Sequence, residues 1–308
     1  MASKKTLYNM IGVITAMNTP FDENNEVDYE GFEKHVRYAI EAGVAGLITP
    51  CVAGEFNMLT PDERIGLLRT AVRVADGRVP VLSGATADTL DETLAFVREL
   101  TDAGADGVMV NVPYDNDDQY RDYIRAIDAE HPRMLMVQEY DLNGPGVRPE
   151  LIAEMFEEVP SFRCLKLELA LSGPKYTTML ELTGGRLHIS GGWGITQYIE
   201  ALDRGVHGMV PTGLHEGFCT LDRLYREGYR DKARAIFARL QPIAVFANQT
   251  GILSQYFYKR LLWRQGYYKT PNIRTQGIAY DRYYQRIADE MIDDYEVLVR
   301  DIKAGMYD

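Results

Sequence analysis

The 308-residue sequence has little of what would point to several common protein classes. It holds three cysteines, Cys51, Cys164 and Cys219, with no Cys-x-x-Cys spacing. That sparse, odd count suggests reduced thiols and an intracellular setting. No run of about 18 apolar residues occurs. Met-Ala-Ser-Lys-Lys-Thr-Leu at the start carries no apolar signal core, so a cytoplasmic location is expected. Asn248-Gln-Thr250 matches the glycosylation pattern, which in such a setting is a coincidence. There is no lysine–arginine block, and the net charge is -12; nucleic acid and membrane are therefore not expected partners. The five histidines, His35, His131, His188, His207 and His215, show no paired ligand spacing, so no metal is expected.

What the chain does have is alternation of short β-rich runs with amphipathic stretches. The strand candidates are Ile11–Ala16, Gly46–Pro50, Val79–Gly84, Gly107–Val112, Arg133–Glu139, Arg163–Glu168, Leu187–Ser190 and Gly208–Pro211. Several follow a Gly-containing turn, such as Glu41-Ala-Gly-Val-Ala-Gly46, which ends a helix tightly and feeds a buried parallel strand. Thr60-Pro-Asp-Glu63 and Thr89-Leu-Asp-Glu92 read as capping boxes, the first with proline at the first helical position. Eight such units predict an α/β fold, a (β/α)₈ TIM barrel over residues 1–220. An open doubly wound sheet is the lesser reading, because no Gly-x-Gly-x-x-Gly follows the first strand. Residues 221–308 predict a C-terminal extension of three helices, Leu221–Phe246, Gly251–Gln265 and Tyr280–Ile302, packed on the barrel.

Lys166 carries the chemistry. It sits inside Arg163-Cys-Leu-Lys-Leu-Glu-Leu169, where a poorly hydrated ammonium is costly and a free amine able to attack a ketone is favoured. Strand alternation puts Cys164, Lys166 and Glu168 on one face, with Leu165 and Leu167 on the other. The leucines suit the helix-packing side. Lys166 then points into the barrel near the C-terminal end of its strand, where barrel active sites lie. The bland alternative is an internal ion pair with Glu168.

These residues resemble the class I pyruvate-lyase superfamily of dihydrodipicolinate synthase and N-acetylneuraminate lyase. The resemblance runs from about Ile11 to Gly266 and rests on ordered motifs: Gly12-Val-Ile-Thr-Ala-Met-Asn-Thr-Pro-Phe21, Val52-Ala-Gly-Glu-Phe56 before Leu59-Thr-Pro-Asp-Glu-Arg64, Val112-Pro-Tyr114, Lys166 and Ser190-Gly-Gly192. It implies a Schiff base between Lys166 and a small-molecule 2-keto acid, with no metal and no bound organic cofactor, in a homotetramer. The loop Val52-Ala53-Gly54-Glu55 would hold the substrate carboxylate on backbone N–H groups.

The departures narrow the reading. An ungapped alignment puts Val52, Val137 and Asp115 at the family synthases' proton-relay positions, and Leu142 at that of their substrate-gripping arginine. Valine cannot donate a proton, so lysine-biosynthetic synthase activity is not expected. Met136-Val-Gln-Glu-Tyr140 and Phe246-Ala-Asn-Gln-Thr-Gly-Ile-Leu253 resemble a side branch of 2-keto-3-deoxy sugar acid dehydratases and aldolases, though Tyr140 replaces a proline. With the relay tyrosine absent, Glu139, Tyr140 and Glu55 are the acid–base candidates, Glu139 sharing a strand face with Val137. Tyr114, Gly191 and Gly192 are candidate substrate contacts. Two rival readings stay open. Gly191-Gly-Trp-Gly194 with Thr212-Gly213 could form the phosphate cup of a phosphosugar isomerase or lyase. The chain could also bind a keto acid without turning it over.

Overall fold

A computed structural model describes residues 5–192, 195–277 and 280–307. Its parallel strands are β1 (Gly12–Ala16), β2 (Gly46–Ile48), β3 (Val81–Gly84), β4 (Gly107–Asn111), β5 (Leu135–Asp141), β6 (Phe162–Leu169), β7 (His188–Gly191) and β8 (Gly208–Met209). They pair in chain order and β8 returns to β1, closing the barrel. The helices α1 (Tyr29–Ala42), α2 (Pro61–Ala75), α3 (Leu90–Asp102), α4 (Asp117–Ala129), α5 (Pro149–Glu158), α6 (Ser172–Thr183), α7 (Tyr198–Asp203) and α8 (His215–Arg226) ring it. Both capping boxes form: Thr60 with Glu63 starts α2 and Thr89 with Glu92 starts α3, each satisfying N–H groups that a helix start leaves without partners.

Alternation splits the apolar residues into two layers. Ile14, Ile48, Leu82, Met109, Met134, Met136 and Cys164 pack together inside the barrel. Val13, Leu47, Val81, Val108, Val137, Leu165 and Leu167 pack outward with the helices. Truncating a buried leucine such as Leu165 (0% exposed) to alanine costs about 2–5 kcal/mol. The Lys5 ammonium donates to the carbonyls of Phe156 and Val159 at the end of α5, where a cation suits the helix dipole.

The C-terminal part differs from the expected outline. A single helix over Leu221–Phe246 is instead two, α8 and α9 (Arg230–Ala247), because Gly228 turns left-handed at φ 92. The N–H of Tyr229 donates to Leu224 O, the Schellman closure that ends a helix at glycine. α8 begins before residue 220 and packs on β1, so it is the eighth barrel helix, and the barrel runs on through Arg226. α10 (Gly251–Arg264) and α11 (Arg282–Lys303) complete the extension. No helix among the described residues is long and apolar enough to cross a membrane.

Candidate active site

The C-terminal ends of the strands open into a cavity of about 710 Å³. Its floor is Ala16, Ile48, Met109 and Val210, continuing the barrel's inner layer. On β6 the same face carries Lys166 and Glu168 into the cavity, and on β5 it carries Gln138 and Tyr140. The register places Gln138 beside Lys166 and Tyr140 beside Glu168. Lys166 Nζ lies 3.0 Å from Glu168 Oε2, and the Gln138 amide donates to that same oxygen at 2.5 Å. Amine, carboxylate and amide thus form one buried cluster with open space in front of it.

Gly192 explains how the carboxylate fits. A Cβ at that position would run into the Glu168 carboxylate, so glycine leaves room for the acid rather than for a substrate. At Gly191 a Cβ would meet the Tyr176 hydroxyl and, at 2.9 Å, Met209 Sδ; neither glycine lines the cavity. Of the proposed glycine cup, Trp193 and Gly194 lie outside the described residues, while Thr212 does line the cavity.

The loop after β2 forms one wall. Cys51 begins a 3₁₀ turn at Val52–Gly54, and a second follows at Phe56–Met58. The N–H groups of Val52 and Ala53, like those of any helix start, have no intrahelical carbonyl to reach, and both residues line the cavity. Gly54 is buried behind them. A Cβ there would lie 2.8 Å from Met17 O, so glycine lets the loop lie against the end of β1.

Three expected site residues face elsewhere. Glu139 points out of the barrel, where its carboxylate takes the Lys175 ammonium of α6 at 2.6 Å and the Val147 N–H at 2.5 Å. Burial raises its pKa, against the pull of Lys175. The alternation on β5 is as expected, but its phase is reversed. An offset of one residue moves every side chain to the opposite face, so Gln138 and not Val137 stands beside Lys166. Glu55 is also turned away from the cavity. It is 0% exposed in its side chain, bonds to Lys259 of α10, and sits at φ 57 between the two turns. Tyr114 is 44% exposed and donates its hydroxyl to Asp117 at 2.9 Å, outside the cavity. Tyr140 does reach the cavity; burial and the Glu168 charge raise its pKa.

Sequence reasoning treated Glu168 only as the rival explanation for Lys166, although its place two residues along the same face already aimed it at the site. It missed Gln138 through the phase error, and it missed the extension. Asn248, Thr250, Gly251, Ser254, Gln255 and Tyr258 form a wall that adjoins the β2 loop, with Gln255 bonded to Val52 O; the motif over Phe246–Leu253 marked part of this segment without placing it at the cavity.

Barrel, inward lysine and its carboxylate define a member of a known group. Residues 9–275 match the dihydrodipicolinate synthetase family, and the chain belongs to that family. The resemblance read over about Ile11 to Gly266 is borne out by this match. A 4-hydroxy-tetrahydrodipicolinate synthase of Methanococcus maripaludis is 30% identical over 242 residues, covering 76% of this chain and 82% of that protein. The Salinibacter ruber protein of the same name is 34% identical over 165 residues, 50% of this chain and 53% of that protein. The chain thus spans about half the length of the first such curated relatives it matches. Dihydrodipicolinate synthase structures from Rhodopseudomonas palustris and Thermotoga maritima align with TM-scores of 0.85 and 0.84 at 22% and 23% identity. They cover 95% and 94% of this chain and 100% and 99% of theirs. At that identity the likeness speaks for the fold.

Proposed function

We propose that the chain is a lysine Schiff-base lyase, a dehydratase or aldolase, acting on a 2-keto-3-deoxy sugar acid or a related pyruvate-derived keto acid. The observation that carries this reading is the cluster of Lys166, Glu168 and Gln138 facing an open cavity. Glu168 takes the ammonium proton, and the freed Lys166 amine attacks the C2 carbonyl. Glu168 returns its proton to the carbinolamine hydroxyl, which leaves as water; the iminium forms as an electron sink and the carboxylate can act as base again. In a dehydratase a base then removes a C3 proton, and the enamine expels the C4 hydroxyl as water. In an aldolase the C4 hydroxyl proton is taken and the C3–C4 bonding pair flows into the enamine. Glu168, held by the Gln138 amide at 2.5 Å, supplies the base in either case, and Tyr140 stands at the cavity to assist proton transfer. The keto acid's carboxylate rests on the Val52 and Ala53 N–H groups. The setting proposed is a cytoplasmic homotetramer.

Borohydride trapping with pyruvate and 2-keto-3-deoxy acids, read by peptide mass spectrometry beside Lys166→Ala, tests this. A reduced adduct on Lys166 with turnover of a sugar acid is expected. Adducts scattered over surface lysines would sink the reading. The names of the relatives favour a second reading, formation of 4-hydroxy-tetrahydrodipicolinate. Against it stand Val52, Val137 and Leu142 at the aligned threonine, strand-five tyrosine and arginine positions, with Gln138 beside Lys166. A direct assay for that product separates the two.

A further inference from the structure

The wall that would take the carboxylate is fastened both from the loop after β1 and from the C-terminal helices. Each carbonyl of its 3₁₀ turn is held by a side chain. Val52 O accepts from Gln255 Nε2 at 2.9 Å, Ala53 O from Asn18 Nδ2 at 2.8 Å, and Gly54 O from Thr19 Oγ1 at 2.7 Å. One of these fastenings, Gln255, comes from α10. One helical turn further along α10, Lys259 takes the Glu55 carboxylate, donates to Asn272 O at 3.0 Å and lies 4.0 Å from the Phe21 ring centre. The other Glu55 oxygen accepts from Arg274 N at 2.7 Å, Thr275 N at 2.6 Å and Thr275 Oγ1 at 2.9 Å. Lys259 and Glu55 are both sealed, at 0% side-chain exposure, so neither can touch a ligand in the cavity. With its carbonyls tied back, the turn presents its leading N–H groups in a fixed direction.

We propose that Gln255 and Lys259 are positioning residues for the carboxylate site, holding the Val52–Ala53 N–H pair in register with the Lys166 amine. The proposal rests on the keto-acid reading above and extends it to the C-terminal helices. Binding through oriented N–H groups is sensitive to small displacements of the backbone that carries them. Losing either fastening should therefore weaken recognition of the carboxylate while leaving the amine's own reactivity intact.

The test is saturation of borohydride trapping at Lys166 with pyruvate, and with hydroxyacetone, which keeps the ketone and lacks the carboxylate. It compares the wild-type chain with Gln255→Leu and Lys259→Met. Gln255→Leu leaves no charge unpaired and guards against a Lys259 variant that fails to fold. For each folded variant the half-saturating pyruvate concentration should rise about tenfold, with a limiting rate within about twofold of wild type and hydroxyacetone trapping unchanged. Because Gln255 lines the cavity and the sealed Lys259 does not, unchanged pyruvate saturation in either folded variant, or equal losses with both ketones, overturns the proposal. Absence of any pyruvate adduct on wild-type Lys166 would instead defeat the keto-acid reading, and this shows before a variant is made.

Discussion

Lys166–Glu168 and Lys259–Glu55 are both buried lysine–glutamate pairs, yet their surroundings differ in kind. The first opens on a cavity of about 710 Å³, with one carboxylate oxygen shared between an amine and an amide. The second is closed on every side, with backbone N–H groups and a carbonyl filling its remaining bonds. A third pair, Lys175–Glu139, lies between barrel and helices. Burial alone therefore does not mark a catalytic lysine. What separates the pairs is whether space remains for a carbonyl carbon beside the nitrogen.

The comparison breaks most plainly at Lys166. Lys166→Ala should abolish the trapped adduct and lower turnover by on the order of 10³-fold or more in the folded chain; turnover persisting near wild type would move the chemistry elsewhere. Glu168→Gln should slow adduct formation at Lys166 and lower turnover about 10²-fold, measured with whichever keto acid is turned over. Lys259→Met strands a buried carboxylate and should cost about 3–5 kcal/mol in denaturant unfolding, whereas Glu55→Gln with Lys259→Met should cost less. Glu139→Gln should destabilise the fold yet leave turnover of the folded enzyme within about twofold; a collapse would restore Glu139 to the site.

The sealed pair also carries a signature in pH. Burial pulls the Lys259 amine from the ordinary 10.5 to about 8, despite Glu55. Between those values the unfolded chain binds the extra proton, so this group's contribution to stability rises with pH across that window. Wild type should therefore gain in melting temperature over the Glu55→Gln, Lys259→Met chain as pH rises from 8 to 10.5. A gap that narrows contradicts the burial of that amine.

Much of this was legible in the chain. Period-two runs and glycine turns outlined the barrel, and alternation within Cys164–Glu168 aimed the lysine correctly. The phase of β5 was not legible, because Val137 and Gln138 differ by one step and only the methionines at 134 and 136 reveal the inner face. Nor was the Glu55 contact. It joins residues 204 positions apart, and nothing local in Gln255-Tyr-Phe-Tyr-Lys259 names its partner.

The fastening of the β2 loop by α10 has a consequence for biosynthesis. A ribosome releases Lys166 and Glu168 well before Gln255, Lys259 and Thr275, so the nascent barrel owns its amine before it owns a finished cradle. On the proposed reading, carboxylate recognition is complete only once those late residues dock. A chain stalled with synthesis complete through β8 but short of α10 is expected to take pyruvate onto Lys166 poorly, and trapping on stalled complexes would read this directly. On the proposed reading, the order of synthesis withholds keto-acid recognition from Lys166 until the C-terminal helices are in place.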